Sequence, residues 1–188
     1  MRYIIMSFAL AALLLLNGCA PIVVGGAAAT GAMVSVDRRT VGTMTEDQGI
    51  EVRAANRISR KFDDAHVNVT SYNRMVLLTG EVGSAAAKAE AGQIAQAVDN
   101  VRGVHNEIQV AGNSSLTARA NDSYLTSKVK ARLVDSGKIH ALHVKVVTEN
   151  GVVYLMGLVR RQEADVATEL ARTTGGVQKV VRVFEYLD

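Results

Sequence analysis

The sequence contains a single cysteine, no tryptophan and only 4% aromatic residues. One thiol excludes an internal disulfide and any cysteine-clustered metal site. So few rings leave a core built mainly from Val, Ala and Leu, which suits small sandwiches of helix on sheet. Charge of one sign is also scarce. The formal net charge of +3 is too small to argue for nucleic acid by itself. Gly25-Gly26 and Gly31 lie in no strand–turn–helix context, so they are not read as a nucleotide loop. What is present is an ordinary globular hydrophobic content of 48% over 188 residues, enough for one average domain or two small ones.

The N-terminus has the pattern of a secretory signal. Arg2 and the free amine form a charged start, and the apolar run from Ile4 to Leu16 is short for a membrane span. It closes on Leu16-Asn17-Gly18-Cys19. That quartet resembles the lipobox of bacterial lipoproteins: Leu at −3, a small residue at −1, then the acylated Cys. The resemblance implies removal of residues 1–18 and lipidation of Cys19, with Ala20 at the next position favouring the outer membrane. Several acyl chains on one residue would give stable anchoring. The alternative is an uncleaved signal anchor with an inert thiol. Residues 20–36 are Gly-, Ala- and Val-rich and uncharged, and they read as a tether that ends at Asp37-Arg38-Arg39.

The remainder is one pattern written twice. Asp47-Gln48-Gly49-Ile50 pairs with Asp122-Ser123-Tyr124-Leu125 at an offset of 75. His66-Val67-Asn68-Val69 pairs with His143-Val144-Lys145-Val146, and Val76 to Val82 with Val153 to Val159, at 77. Val101-Arg102-Gly103-Val104 pairs with Val177-Gln178-Lys179-Val180 at 76. Each copy reads as helix, strand, turn, strand, helix, strand. Asp47 is expected to cap a helix carrying Ile50, Ala54 and Ile58. Val67, Val69 and Ser71 alternate as a half-buried strand, and Tyr72-Asn73-Arg74 turns the chain into Met75 to Val82. Ser84 caps an Ala-rich helix, and Val101 to Val110 is the last strand. In the second copy the first helix is expected over Asn121 to Val134, and Asn150-Gly151 suits a tight type I′ turn. Gln162 to Thr173 is the second helix and Val177 to Leu187 the last strand. A hairpin followed by a helical crossover gives a mixed sheet with helices packed on it, an α+β fold.

The αββαβ order, the Val-rich hairpin ending in Gly80 or Gly157, and the closing Val-x-x-Val resemble the BON domain. The resemblance covers essentially the whole chain: a signal peptide over 1–18, an anchor and tether over 19–45, BON domain 1 over 46–112 and BON domain 2 over 113–188. It implies a non-enzymatic lipoprotein on the periplasmic face of the outer membrane. The second domain would bind anionic phospholipid, and the protein would gather at the division site and support envelope integrity and outer-membrane protein assembly.

The charge pattern separates the copies independently. Residues 46–112 carry seven Lys/Arg against nine Asp/Glu, a balance of −2, whereas residues 115–188 carry eleven against eight, a balance of +3. In the second copy Leu125, Val129 and Leu133 form a core stripe, with Tyr124, Lys128 and Arg132 beside it at spacing four. A ring followed by cations suits a lipid interface, the ring at headgroup depth and the cations on phosphates. The first copy has Gly49, Arg53 and Arg57 there, cations without a ring. By resemblance the phospholipid-binding helix comprises Tyr124, Leu125, Lys128, Val129, Arg132 and Leu133, with residues 137–141 beside it. A Trp stands where this chain has Tyr124, so less area would be buried. The same residues also fit an ordinary solvated helix face. No metal site is expected: His140 and His143 are three apart in a loop without carboxylates. Asp63-Asp64 lacks a partner base, Ser114-Ser115 lacks a His/Asp constellation, and no cofactor is implied. A lipid-binding envelope protein and a protein–protein scaffold for outer-membrane assembly both remain open.

Overall fold

The computed structural model describes residues 37–188; Cys19 and the signal and tether readings lie outside them. The described chain runs α1 (Val41–Lys61), β1 (His66–Tyr72), β2 (Met75–Val82), α2 (Ala85–Gln96), β3 (Gly103–Asn106) and β4 (Gln109–Val110). The second copy follows as α3 (Leu116–Ser136), a 3₁₀ turn at Ala141–His143, β5 (Val144–Glu149), β6 (Val152–Val159), α4 (Arg161–Arg172) and β7 (Lys179–Tyr186).

Each copy folds as the pattern expects. β1 and β2 form an antiparallel hairpin, and α2 carries the chain back so that β3 and β4 lie parallel to β2. The second sheet repeats this, with order β5-β6-β7, β5 antiparallel and β7 parallel to β6. The single long strand expected over Val101 to Val110 is instead broken in two, with the Ile108 side chain buried in the core between the pieces. The hairpin turns both use positive φ: Asn73 and Arg74 in the first copy, Asn150 and Gly151 in the second. Two positive angles are what a type I′ turn requires. Gly157 is required for a different reason: a Cβ there would stand 2.3 Å from the His143 carbonyl oxygen across the hairpin.

The helices start earlier than their sequence signals. α1 begins at Val41, capped by the Thr40 hydroxyl on the Thr43 amide, and α3 begins at Leu116, capped by Ser115 on the Ala118 amide. Asp47 is therefore not a cap but sits inside α1, buried. It accepts from the Ser71 hydroxyl at 2.7 Å and from the turn amides of Asn73 and Arg74 at 2.9 and 2.7 Å. Asp122 does the same in α3, accepting from the amides of Asn150 and Gly151, each at 2.8 Å. In both copies one carboxylate thus ties the first helix to the hairpin tip. Charge-assisted bonds of this kind are about twice as strong as neutral ones.

Two cores lie between helices and sheets. Ile50, Ala54, Ile58, Val76, Leu78 and Val82 fill the first with Ala91 and Ala95 of α2. Val129, Leu133, Val153, Leu155 and Val159 fill the second with Ala164, Ala167 and Ala171 of α4. The alternate residues of β2 and β6 point the other way and meet one another. Tyr72 and Leu77 from the first sheet share a cluster with Tyr154, Met156 and Val183 from the second. The order of layers is helix, sheet, sheet, helix. Both central strands are covered on both faces, which is why they read as continuous apolar runs. Burying each large side chain in this shared layer stabilises by roughly 1.5–3 kcal/mol.

Residues 37–39 strap the two copies together. Arg38 makes a bidentate pair with Glu163 at 2.7 and 2.8 Å and donates to the Leu158 carbonyl. Arg39 pairs with Asp37 and Asp47 and lies 3.9 Å over the Tyr72 ring. Glu163 also accepts from the Arg160 amide at the start of α4, and the Arg38 hydrogen bonds lower its pKa to about 2.

Candidate functional site

The outer surface of α3 is the most distinctive exposed face. Tyr124 is 62% exposed and Val134 64% exposed, while Leu125, Val129 and Leu133 are buried in the second core. These three therefore hold the helix in place, and the outward face is carried by other residues. Spacings of three, four and three put Tyr124, Ser127, Ala131 and Val134 on one exposed ridge, with Lys128 on one flank and Lys130 on the other. The Lys128 ammonium lies 5.4 Å from the Tyr124 ring centroid, a cation–π distance.

The helix ends at Gly137, whose positive φ of 58° caps the Val134 carbonyl. The chain then turns through Lys138 and His140 into the 3₁₀ turn. Leu142, 43% exposed, joins Val134 at the mouth of a shallow groove that Lys138, His140 and Ala141 also line. A second groove on the same side is lined by Val134, Leu142 and Lys130 together with Arg39 of the strap. The outcome is a ridge of Tyr124, Ala131 and Val134 flanked by Lys128, Lys130 and Lys138, with the exposed Asp135 beside Val134.

Two of the expected cations have other work. Lys128 Nζ donates to the Gly175 carbonyl at 2.7 Å. Arg132 donates to the Leu170 carbonyl at 2.9 Å and to the Thr174 hydroxyl at 3.1 Å. Both satisfy acceptors at or just beyond the C-terminus of α4, where a positive charge also suits the helix dipole. The first copy repeats the device: Arg57 donates to Ala97 and Arg53 to Asp99, past the end of α2. The repeated cations at these positions are therefore structural in both copies. The ring is not repeated, since Gly49 stands where the second copy has Tyr124. Sequence reasoning missed Lys130, Val134 and Leu142, because exposure at a helix end depends on where Gly137 turns the chain. The signal available was Val134 lying off the core stripe.

A second polar cluster lies between the sheets. His66 Nδ1 is 3.0 Å from Glu81 Oε2 and 3.9 Å from Glu149 Oε1. The first two residues are paired across β1 and β2, and the third ends β5 of the other copy. Burial raises the Glu81 carboxyl, but hydrogen bonds from His66, Asn150 and the Ser114 amide outweigh it and hold the group below the usual carboxylate range.

Residues 46–112 and 121–188 each match the BON domain. The chain belongs to the BON domain family and carries that domain twice. It is 38% identical over 182 residues to the Outer membrane lipoprotein DolP of Haemophilus influenzae, which covers 95% of this chain and 94% of that protein. It is 35% identical to the 21 kDa hemolysin of Actinobacillus pleuropneumoniae, over 81% of this chain and 80% of that protein. It is 32% identical to the Osmotically-inducible protein Y of Escherichia coli, over 80% and 77%. Among the described residues no helix is long and apolar enough to cross a membrane.

Proposed function

We propose that this protein is a non-enzymatic outer-membrane lipoprotein, anchored through Cys19 on the periplasmic face, whose second BON domain binds anionic phospholipid through the outer ridge of α3. The observation that carries the reading is the exposed Tyr124–Val134 ridge with its flanking lysines, present in the second domain, where the first has Gly49 at the place of the ring. Tyr124, Val134 and Leu142 supply the apolar area that settles at the headgroup boundary. Lys130 and Lys138 supply charge, each cation contributing about 1 kcal/mol at an anionic surface, while Lys128 holds the loop after α4. That is weak, salt-sensitive binding, sufficient for a protein already held in the membrane plane. Near-full-length similarity to a protein named as an outer-membrane lipoprotein supports the address. Enrichment at the division site and support of envelope integrity follow from the resemblance to two-domain BON lipoproteins, and imaging of a fluorescent fusion tests the first.

The test is co-sedimentation of residues 37–188, which hold both domains without the acylated Cys19, with vesicles of phosphatidylethanolamine alone or mixed with phosphatidylglycerol. Binding should rise with anionic lipid and fall with salt. Equal binding to both vesicles would remove lipid recognition and leave the scaffold reading, in which this ridge meets outer-membrane assembly machinery.

A further inference from the structure

We infer that His66, Glu81 and Glu149 form a divalent transition-metal site that bridges the two BON domains, of the kind that takes Zn²⁺. Their ligating atoms, one from each residue, all lie within 4.8 Å of one another. The His66 contacts of 3.0 and 3.9 Å bracket the separation of about 3.4 Å between ligands of a tetrahedral zinc ion with bonds of about 2.0–2.1 Å. The carboxylates are 1% and 5% exposed. Two buried carboxylates facing one another across an interface require compensating positive charge. Among the described residues, His66 is the one basic side chain within ion-pair distance of either.

Polar neighbours surround the three side chains: Ser114 Oγ lies 3.4 Å from His66 Nδ1 and Asn68 Nδ2 lies 3.2 Å from His66 Nε2. Glu149 Oε2 accepts from Asn68 Nδ2 at 2.8 Å and from the Thr79 hydroxyl at 3.1 Å. Glu81 Oε1 accepts from Asn150 Nδ2, and its Oε2 accepts from the Ser114 amide at 3.1 Å. Glu149 Oε1, in contrast, accepts no hydrogen bond from the described residues and points at His66. Fixing one oxygen and leaving the other open to an incoming ion is how outer-shell donors orient a metal ligand. His66 and Glu149 also line a groove open to solvent, which gives an ion its entry path and a water its fourth position. One imidazole nitrogen with two carboxylate oxygens suits zinc and its neighbours and disfavours magnesium and calcium, which take oxygen ligands.

The experiment is calorimetric titration of the chelator-treated full chain in detergent with ZnCl₂, with MgCl₂ as a comparison. One zinc per chain is expected and no magnesium, and His66→Asn and Glu149→Gln should each weaken zinc binding at least about tenfold, with His140→Ala unchanged. Zinc should also raise the unfolding temperature of the parent chain. Because a buried substitution can disturb folding, a second measurement uses the unsubstituted protein: Co²⁺ should broaden the His66 imidazole resonances before those of His140 and His143. Absence of zinc uptake, uptake indifferent to both ligand substitutions, or broadening confined to His140 and His143 would each overturn the assignment.

Discussion

Asp47 and Asp122 decide how each hairpin meets its helix. Each is a buried carboxylate whose oxygens accept from turn amides with positive φ. In the first copy the strained residues are Asn73 and Arg74, with no glycine to relieve them, so the clasp there opposes real backbone cost. Asp122→Ala strands the amides of Asn150 and Gly151 and should destabilise the second domain by about 2–4 kcal/mol, read as a lower urea midpoint. Asp122→Asn should cost less, because the amide oxygen still accepts one bond. Glu163 gives a second prediction at this scale. Its pKa is lowered to about 2 in the fold, first by the Arg38 hydrogen bonds. A depressed carboxylate stabilises the fold above its unfolded pKa of about 4.3, and that contribution is lost as pH falls from there toward about 2. Arg38→Ala should therefore lower the unfolding temperature at pH 7 and flatten its decline between about pH 5 and pH 2. Equal acid slopes in both proteins would contradict the strap.

At the scale of the element, α3 has two faces with separate duties. Arg132, on its inner flank, closes the end of α4 through Leu170 and Thr174. Arg132→Gln should cost about 1–3 kcal/mol of stability, since a charged donor to partly buried acceptors is lost. Lys130→Glu and Val134→Asp should leave the unfolding temperature nearly unchanged and reduce vesicle binding, because both side chains face solvent. If Arg132→Gln left stability unaltered, the capping assignment would fail. Much of this helix was legible in the sequence. Leu125, Val129 and Leu133 recur at spacing four, and burial follows directly from that period. Its start was not legible: Asn121 and Asp122 look like caps, whereas Ser115 caps the helix and Asp122 serves the hairpin. Local signals cannot distinguish an Asp that caps its own helix from one that binds a distant turn. Nor did spacing show that Lys128 and Arg132 reach the loop after α4, because that depends on how the helices cross.

At the scale of the whole molecule, the repeat and its αββαβ order were readable, because strand and helix periods differ and the offsets drift only in loops. The packing of sheet against sheet was not. Leu77 and Met156 look like ordinary members of apolar strands until both faces are seen to be covered. The His66, Glu81 and Glu149 cluster stayed hidden for the same reason, since its members come from different sheets. The face-to-face arrangement leaves both helical layers outward, yet among the described residues the outer face of α3 carries an exposed ring beside its cations, whereas α1 carries exposed Arg57, Arg60 and Lys61 without one. The central claim is that this one ridge meets the lipid. It is tested most directly by binding of residues 37–188, which lack the acylated Cys19, to phosphatidylglycerol-containing vesicles after matched substitutions in the two domains, Tyr124→Glu and Gly49→Glu. A Cβ at Gly49 would stand 2.8 Å from Arg53 Nη1, the end of a flexible side chain that can move aside. Tyr124→Glu should lower the affinity about tenfold, through lost ring burial and added repulsion, while Gly49→Glu leaves it within about twofold of the parent. Equal loss in both proteins, or no loss with Tyr124→Glu, would contradict the account.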